Sequence, residues 1–417
     1  MSNEATFRVP GEFEHQEACL LSWPQFPYVM EGQNYENVFA QIVKALQDET
    51  QVVVNCVSQE ILLHCKGVLT SAGVDLDKIR FTMYPDGSSW CRDYGPDIMV
   101  DDEGHVQLAN FRFNMYGQDD ENSEVAFKCG NYAPHLALEF GCKNIVNSTL
   151  ISEGGDKEFN GQGVMMALRD TEWTKRNGDR TLEEVEEDFK RTCNLKKIIW
   201  LDKGVYDDEL TTSGVLDVVD GENVFRSSSA NGHIDEMCRF VDPHTIVLAE
   251  VSEEEAAELN SARISKERLD ACYEVLKNAT DADGNPFKIV RMPVPVPFYV
   301  TSKPGDWICD TWSHRYLDDK DELDDGTPMP HGVPMKMQPA LSYCNFLIMN
   351  NVVLAQSYWQ EGMPEEIKER DAQAVAVLQS VFPDRKVVAI NTTALNIRGG
   401  GIHCATKQIP AFGKAGR

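Results

Sequence analysis

The chain has 417 residues, with 39 Lys and Arg against 67 Asp and Glu, so its formal net charge is −28. Binding to nucleic-acid phosphates or to anionic lipid needs clustered positive charge, and this balance argues against both classes of partner. The acidic surplus fits a cationic ligand, and it equally fits plain solubility. The length exceeds that of one simple core of about 100–200 residues, so it predicts either two or three domains or one large architecture built from repeated units.

The sequence carries no sign of a membrane span or of secretion. No stretch approaches the roughly 18 uninterrupted apolar residues that a span requires. Residues 1–8 lack a basic segment that leads into an apolar core, which predicts a cytoplasmic protein. The twelve cysteines are therefore predicted to be thiols, and the absence of a C-x-x-C pair argues against a zinc site.

Helix-then-strand units recur along the chain. In the first unit, residues 35–48 carry apolar side chains at helical spacing, and residues 51–57 (QVVVNCV) form a β-branched run. The other four units are predicted at residues 58–83, 182–201, 266–292 and 364–390. Their spacings differ, so an internal repeat is suggested rather than demonstrated. Because no long Gly/Ser linker separates the units, they predict one α/β body, with the acidic residues 318–326 as a solvated loop.

Four segments combine reactive side chains with turn-forming glycines: residues 90–96 (WCRDYGP), 153–155 (EGG), 232–235 (GHID) and 398–406 (RGGGIHCAT). Each follows or interrupts a strand-like run, which is where ligand sites lie in α/β proteins. Each also has a purely structural interpretation, as a capped turn, an acidic turn, a hydrogen-bonded pair on a strand or a buried thiol. The last segment lacks the G-x-x-x-x-G-K-[ST] spacing of a phosphate loop.

Together, the four segments supply one thiol, one imidazole and three carboxylates. A thiol with an imidazole suggests covalent catalysis, in which the thiolate attacks an electrophilic carbon and the base moves protons. Three carboxylates around a thiol raise its pKa and suppress the thiolate. A cationic substrate reverses that effect, and a planar guanidinium fits best because its N–H donors match carboxylates two at a time.

The segments resemble the agmatine deiminase and bacterial-type peptidylarginine deiminase family, within the guanidino-group-modifying superfamily. The resemblance covers about residues 8–408 and includes two further motifs, residues 111–114 (FRFN) and 342–346 (SYCNF). It implies a single catalytic domain over residues 1–417, folded as a five-bladed α/β propeller (the pentein fold) with its active site in the central channel. It also implies an enzyme that hydrolyses a guanidine to a ureido group and ammonia, with neither a metal nor an organic cofactor.

The resemblance implies catalytic roles for three residues. Cys404 matches the nucleophile that attacks the guanidinium carbon. His233 matches the general acid and base, which protonates the departing ammonia and then activates water. Glu153 matches a further carboxylate that orients His233 or the substrate.

Substrate binding is implied for five residues: Trp90, Arg92, Asp93, Asp235 and Asn345. Asp93 and Asp235 match the carboxylates that hold the guanidinium nitrogens and take part in catalysis. Trp90 matches a wall of the channel that makes a cation–π contact.

Four single positions depart from the family pattern: Asn231, Glu236, Arg398 and Gly401. Residues 160–163 (NGQG) also stand where the family has D-G-x-G, and residues 205–229 are longer than usual and are placed to reshape the entrance. None of these departures touches the catalytic set. They bear on recognition of the end of the substrate opposite its guanidinium group.

The sequence thus predicts an agmatine deiminase that forms N-carbamoylputrescine, a step of polyamine biosynthesis, from a small cationic guanidino substrate. Two alternatives stay open. One is the same chemistry on arginine, peptidyl-arginine or another guanidino compound, and the other is a non-catalytic paralogue that binds cationic amines. The resemblance also allows a homo-oligomer, and neither nucleic acid nor membrane is expected as a partner.

Overall fold

A computed structural model describes residues 6–412, except residues 27–28, 31, 143, 311–321 and 331. Five of its sheets share one topology. In each of them a first strand pairs antiparallel with a second, and a helical crossover leads to a third strand that runs parallel to the second. This repetition of one α/β unit agrees with the predicted five-bladed propeller.

The first sheet contains the first and the last strand of the part of the chain that is described. Strand β1 (Gln16–Ser22) is followed by the hairpin of β2 (Val29–Met30) and β3 (Gln33–Asn34), by helix α1 (Tyr35–Leu46) and by strand β4 (Gln51–Cys56). Helix α2 (Gln59–Ser71) then leads to β5 (Ile79–Met83), which runs parallel to β4. The last strand, β22 (Thr406–Pro410), pairs antiparallel with β1, so the first and last strands share a sheet.

The second and third sheets follow in chain order. The second contains helix α3 (Cys91–Tyr94) at its start, then β6 (Asp97–Val100), β7 (Val106–Arg112), α4 (Glu124–Gly130), α5 (Tyr132–Phe140) and β8 (Asn144–Ile151). The third contains β9 (Lys157–Phe159), β10 (Val164–Leu168), α6 (Leu182–Cys193) and β11 (Lys197–Leu201).

A small additional sheet accompanies the fourth and fifth sheets and is not hydrogen-bonded to either of them. That additional sheet contains β12 (Asp217–Val219), β13 (Glu222–Arg226), β17 (Val300–Ser302) and β18 (Met335–Gln338). The fourth sheet contains β14 (Cys238–Asp242), β15 (Thr245–Glu250), α7 (Glu253–Glu258), α8 (Asn260–Asn278) and β16 (Lys288–Pro293). The fifth contains β19 (Leu347–Ile348), β20 (Val352–Ser357), α9 (Glu365–Val381) and β21 (Lys386–Asn391), with α10 (Thr393–Ile397) after it.

The crossover helices form because the sequence gives each one a cap and an apolar stripe. Asn34 accepts a hydrogen bond from the backbone of Glu36 at the start of α1, whose apolar positions are buried. Thr181 and Glu184 form a reciprocal capping box at the start of α6. The central strands β4 and β10 are almost fully buried, as is usual for the central strands of α/β sheets.

All five predicted helix–strand units exist, but they do not correspond one to one with the five sheets. The units predicted at residues 35–57 and 58–83 both belong to the first sheet. The crossover of the second sheet was not predicted, because α4 and α5 are short helices separated at Asn131 and show no long apolar period.

The motifs occupy one repeated position in this fold. The segments with Asp93, Gly154, Asp235, Asn345 and Cys404 come directly before β6, β9, β14, β19 and β22, which are the first strands of the five sheets. Each sheet therefore contributes one loop to a common site, which is why residues so far apart in sequence can meet.

Three further expectations can be compared with the structure. All twelve cysteines are thiols and eleven are buried, with no disulfide in the part of the chain described. Of the predicted acidic loop, residues 318–321 lie outside the described residues, and residues 322–326 form a turn that is exposed apart from Leu323. No helix within the described ranges combines the length and apolarity needed to cross a membrane. The single domain over residues 1–417 stays a prediction.

Candidate active site

A cavity of about 460 Å³ has Cys404 in its wall. Trp90 and Asp93, from the first sequence motif, line the same cavity. Two tyrosines outside the motifs, Tyr35 and Tyr116, line it as well. The cavity therefore brings the predicted nucleophile together with two of the predicted substrate-binding residues.

The Cys404 thiol lies among three polar side chains. Asn345 Nδ2 donates a hydrogen bond to Sγ at 3.0 Å, while Asp235 and Glu236 place carboxylate oxygens 3.6 and 3.8 Å from Sγ. The amide oxygen of Asn345 accepts hydrogen bonds from the backbone N–H groups of His403 and Cys404 at 2.9 and 3.3 Å. One buried asparagine thus fixes both the nucleophile loop and the thiol.

The electrostatics of the pocket keep the Cys404 sulfur protonated when no cation is bound. Burial raises the pKa of the thiol well above its ordinary value, and the charges of Asp235, Glu236 and Asp93 raise it further. Burial and the neighbouring acids also raise the pKa of Glu236 well above its usual range. A bound cation offsets these negative charges and favours the thiolate.

His233 is fully buried between two carboxylates, at distances longer than hydrogen bonds. Its Nδ1 lies 3.7 Å from Asp93 Oδ1, and its Nε2 lies 3.6 Å from Glu153 Oε2. Burial by itself lowers the pKa of His233, but the charges of Asp93, Glu153 and Asp235 raise that pKa to about 10. The ring is therefore an imidazolium at neutral pH and is able to act as a general acid.

Glu153 is held ionised by an arginine that the sequence motifs did not include. Arg176 Nε donates to both Glu153 oxygens, at 2.8 and 3.0 Å, and its Nη2 donates to the Ala230 carbonyl at 3.2 Å. Burial raises the pKa of Glu153, but Arg176 and His233 lower it to about 2. This fixed negative charge beside His233 agrees with the orienting role implied for Glu153.

Asp93 is held by one backbone and one side-chain donor. Gly155 N–H donates to Oδ1 at 3.0 Å, and the Tyr116 hydroxyl donates to Oδ2 at 2.9 Å. Burial raises the pKa of Asp93 to about 6, with the charge of His233 acting in the opposite direction.

Gly155 explains why the E-G-G motif needs its second glycine. A Cβ at this position would lie 2.5 Å from His233 Nδ1, 2.8 Å from Asp93 Oδ1 and 3.1 Å from Asp235 Oδ2. The three groups therefore converge on one point of the backbone, and a side chain there would displace them.

Asp235 is oriented by a second histidine. His403 Nδ1 lies 2.7 Å from Asp235 Oδ2, and its Nε2 lies 2.9 Å from both oxygens of Glu12. Burial raises the pKa of Asp235, but His403 and His233 lower it below its ordinary value, so Asp235 stays ionised. Arg239 Nη2 donates to Glu12 Oε2 at 2.5 Å and so helps to hold the Glu12 carboxylate against His403.

The structure brings together Cys404, His233, Glu153, Asp93, Asp235, Trp90 and Asn345, but it places Arg92 elsewhere. Arg92 Nη1 donates to Glu12 at 2.5 Å and its Nε donates to the His403 carbonyl at 3.2 Å, in a separate recess. The guanidinium turns there because the half-buried Glu12 supplies a negative charge. Arg92 is therefore a positioning residue for the His403 loop and makes no contact with the substrate cavity.

Two of the departures from the family pattern also lie at this site. Glu236 contacts the thiol through its carboxyl group and hydrogen-bonds with Asn345 at 2.9 Å. A Cβ at Gly401 would lie 2.6 Å from Asn345 Oδ1, so this position accepts no side chain while Asn345 holds the loop.

Several residues of the site could not be identified from sequence motifs: Glu12, Tyr116, Arg176, Asp208 and His403. Asp208 accepts hydrogen bonds from the backbone of Ala230, Gly232 and His233 and so fixes the His233 loop. Only His403 carried a signal, since it directly precedes the nucleophile.

Two groups of side chains in the described part of the chain have the composition of metal ligands. In the first, Glu12, Glu158 and His403 come together, but the two glutamates form ion pairs with Arg239. In the second, Asp235, Glu236 and Cys404 offer the same atoms that would meet a guanidinium. The expectation that the chemistry needs no metal stays a prediction.

The comparison with protein families agrees with this geometry. The sequence model of the Porphyromonas-type peptidyl-arginine deiminase family matches residues 8–410, which is nearly the whole chain. The protein therefore belongs to a class of deiminases, hydrolases that act on carbon–nitrogen bonds of guanidino groups. Its family is the Porphyromonas-type peptidyl-arginine deiminase family, as predicted from the sequence.

Individual relatives cover the same length. The chain is 27% identical to the agmatine deiminase of Pseudomonas aeruginosa, over 98% of this chain and 97% of that protein. Its fold matches the agmatine deiminase of Enterococcus faecalis with a TM-score of 0.73 and 23% identity, over 99% of each chain. It also matches the C. jejuni agmatine deiminase with a TM-score of 0.65 and 19% identity, over 99% of each chain. The predicted fold class is thereby confirmed.

Proposed function

We propose that this protein is an agmatine deiminase, which hydrolyses the guanidinium of agmatine to N-carbamoylputrescine and ammonia. The observation that carries the proposal is the convergence of one buried thiol, one imidazolium and the carboxylates of Asp93 and Asp235, with the thiol and Asp93 in the wall of one cavity. No anionic or neutral substrate would balance this charge, whereas a guanidinium does. Family membership supports the same chemistry.

The guanidinium is bound by Asp93 and Asp235. Asp235 stays ionised because His403 donates to it, and Asp93 ionises above a pKa of about 6. Both carboxylates face the point above Gly155, so a planar cation placed between them meets two acceptors in fixed positions. Its carbon then lies beside the Cys404 sulfur.

The first half-reaction forms a covalent intermediate. The bound cation offsets the negative charge that raises the pKa of Cys404, so the thiol releases its proton to solvent and the thiolate attacks the guanidinium carbon to form a C–S bond. As the tetrahedral adduct collapses, one C–N bond breaks and the leaving nitrogen takes a proton from the His233 imidazolium. Ammonia departs and leaves a thiouronium on Cys404.

The second half-reaction returns the enzyme to its starting state. His233, now neutral, takes a proton from water, and the hydroxide attacks the thiouronium carbon. The C–S bond breaks with its electron pair on sulfur, and the proton that the hydroxyl group loses as the ureido carbonyl forms restores the Cys404 thiol. The proton released in the first half-reaction converts ammonia to ammonium. The net reaction consumes one water and yields the ureido product and ammonium.

Agmatine is proposed as substrate because the relatives that match over the full length are named as agmatine deiminases. The cavity of about 460 Å³ also has room for a small linear molecule beside Cys404, Trp90 and Tyr35. A single-domain cytoplasmic enzyme that forms homo-oligomers would fit this proposal, and these three points stay predictions.

The experiment offers agmatine to the purified protein and detects N-carbamoylputrescine and ammonia. Cys404→Ala is expected to lower kcat by on the order of 10⁴-fold or more, because it removes the group on which the intermediate forms. Cys272→Ala, at another buried thiol on α8, is the matched control and keeps full turnover. If neither the intact protein nor the variants form a ureido product from any guanidino compound, the proposal is wrong and the non-catalytic alternative takes its place.

A further inference from the structure

Glu236 lies between the catalytic thiol and a second recess of the protein. Its Oε1 accepts a hydrogen bond from Asn345 Nδ2 at 2.9 Å and lies 3.8 Å from Cys404 Sγ. The same side chain lines a recess of about 60 Å³. This recess and the substrate cavity have no lining residue in common, since Cys404 is in the wall of one and Glu236 in the wall of the other. The contact between the two side chains is therefore part of the partition between the two spaces.

The recess reaches the protein surface. Asp207 and Pro297 line it and are partly exposed to solvent. Its volume gives space for a few water molecules, since one water needs about 10–15 Å³. The hydroxyl groups of Ser261 and Ser265 also lie in its wall and offer hydrogen bonds to such water. Water can therefore stand beside Glu236 without entering the substrate cavity.

The two carboxyl oxygens of Glu236 have different surroundings. Both contacts at the thiol use Oε1. Oε2 makes no hydrogen bond to any residue in the described part of the chain, and the residue keeps 5% of its surface exposed where it borders the recess. A carboxylic acid in this orientation presents an acceptor to the thiol and an O–H donor to water.

The surroundings of Glu236 favour this protonated form. Burial raises the pKa of Glu236 well above its usual range, and three neighbouring carboxylates raise it further, while the charge of His233 acts in the opposite direction. The three carboxylates are those of Asp235, Asp208 and Asp207. The acid is therefore neutral while it touches the thiol.

The other ionisable groups at the thiol have other tasks. The His233 imidazolium already carries its proton and needs it for the departing ammonia. Asp235 lies 3.6 Å from Sγ, but its Oδ2 is paired with His403. A proton on Asp235 would also cancel a charge that holds the guanidinium. Glu236 has neither task, so it is the group at the thiol that is able to pass a proton on.

We propose that Glu236 is a further catalytic residue, which carries the proton of the Cys404 thiol to water in the recess. As the S–H bond breaks, an Oε1–H bond forms. The Oε2–H bond breaks at the same time and its proton passes to water, so Glu236 is neutral before and after the transfer. A half-turn of the carboxyl group returns its proton to the recess side for the next cycle. The inference rests on the proposed deiminase function and assigns the step that activates its nucleophile.

The test measures the two half-reactions separately in Glu236→Gln. The amide keeps the shape of the side chain and an oxygen for Asn345, but it does not relay a proton. Rapid-quench intact-mass analysis with agmatine should show thiouronium formation slowed by about 100-fold, the lower end of the range for a lost acid–base group. Decay of the adduct after dilution should stay within about threefold of the wild-type rate, because His233 is untouched.

Asp207→Asn is the matched control, because it removes a carboxyl group from the same recess that makes no contact with the thiol. It should leave the rate of adduct formation within about threefold of wild type. Glu236→Ala supplies a second, independent variant. It should also be slow, and formate should accelerate its adduct formation severalfold, because a small carboxylate enters the vacated space and takes the thiol proton. Formate should have no such effect in Glu236→Gln, where the amide fills that space.

Alkylation by 2-chloroacetamidine separates failure of the relay from failure of the deiminase function. This small cation alkylates a thiolate with loss of chloride and needs no turnover. Peptide mapping should show alkylation of Cys404 slowed by about 100-fold in Glu236→Gln. That result without any hydrolysis of agmatine supports the relay and overturns only the deiminase function. A Glu236→Gln protein that matches the wild type in both reactions overturns the relay. Equal slowing of adduct formation and decay, or a Glu236→Ala variant that formate does not accelerate, also overturns it, because Glu236 is then structural.

Discussion

His233 and His403 are both buried histidines, and each faces two carboxylates, but the distances differ. The ring nitrogens of His233 lie 3.7 and 3.6 Å from Asp93 and Glu153, longer than hydrogen bonds. Those of His403 lie 2.7 Å from Asp235 and 2.9 Å from Glu12. The His233 imidazole is attracted electrostatically to its carboxylates without hydrogen bonds to them, whereas the His403 imidazole is hydrogen-bonded through both ring nitrogens.

The surroundings of the two rings differ in the same sense. His403 belongs to a network of ion pairs, in which the half-buried Glu12 also binds Arg92 and Arg239. His233 instead faces the cavity-lining Tyr116, whose ring centroid lies 5.7 Å away. A group that exchanges protons with a substrate has to be able to change partners, whereas a group that only positions another gains from a rigid network. The geometry therefore separates a proton-transfer histidine from a positioning histidine.

The largest effect is expected when the proton-transfer histidine is removed. His233→Gln should lower kcat for agmatine by about 10²- to 10⁴-fold, because it removes both the proton donor for the departing ammonia and the base for the attacking water. Substrate affinity should change far less, since Asp93 and Asp235 remain. Steady-state kinetics and intact-mass analysis of the protein after mixing with substrate measure both effects.

His105→Gln is the control for that substitution, because His105 pairs with Asp101 at the protein surface, away from the cavity. It should leave kcat and KM unchanged. A His233→Gln variant that keeps more than about one tenth of wild-type kcat would assign proton transfer to another group.

A smaller effect of a different kind is expected at the positioning histidine. His403→Gln removes the ring that holds Asp235 Oδ2, so the carboxylate is less well oriented towards the guanidinium. KM should rise by about 10- to 100-fold, the usual range when a residue that orients a ligand-binding group is lost, while kcat changes less. A fall in kcat as large as that of His233→Gln, at unchanged KM, would break the distinction between the two histidines.

Glu12→Gln tests the same network one step further out. It removes the charge behind His403 Nε2 and should raise KM in the same direction by a smaller factor. The two variants together show whether the effect decreases with distance from the substrate, as a positioning network requires.

The same two histidines show what sequence could and could not establish. His233 was identified because Gly232, His233 and Asp235 are adjacent and form a recognisable motif. The partner of His403 could not be predicted from sequence, because Glu12 is 391 residues away in sequence and is brought close by the pairing of β1 with β22. Arg176 was missed for a different reason: it lies outside every motif, and only the π-helical turn Asp170–Lys175, which it directly follows, brings it to Glu153.

The fold was predictable at the level of its repeated unit and less so in its arrangement. Strong periodicity in α1, α6, α8 and α9 made four of the five crossovers visible. The pairing of strands that are distant in sequence depends on contacts that periodicity does not encode. Arg92 illustrates the limit, because its place in a motif did not reveal that Glu12 would draw its side chain away from the cavity.

A moderate effect is expected from pH, and it distinguishes the environments of the two substrate-binding carboxylates. Burial raises the pKa of Asp93 to about 6, while Asp235 is held below its ordinary pKa by His403 and His233. Below about pH 6, Asp93 becomes neutral and loses its attraction for the guanidinium. We therefore expect kcat/KM for agmatine to fall about tenfold per pH unit as the pH decreases below that value.

His233 does not contribute to this acidic limb, because a pKa of about 10 keeps it protonated throughout. Thermal unfolding followed at each pH serves as the control and should show a folded protein across the range. An acidic limb with its midpoint near pH 4 would mean that Asp93 is not the group that titrates.

The smallest effect concerns the hydroxyl that supports Asp93. Tyr116 donates to Asp93 Oδ2 at 2.9 Å and thereby lowers the pKa of that carboxyl, against the larger effect of burial. Tyr116→Phe keeps the ring beside Phe113 and His233 but removes the donor. The acidic limb of kcat/KM should therefore move to higher pH, while kcat at pH 8 changes little because Asp93 is ionised there in both proteins. An acidic limb that stays in place, or moves to lower pH, would show that Asp93 does not govern the ionisation on the His233 side of the site. The contrast between the two histidines would then rest on proton transfer alone.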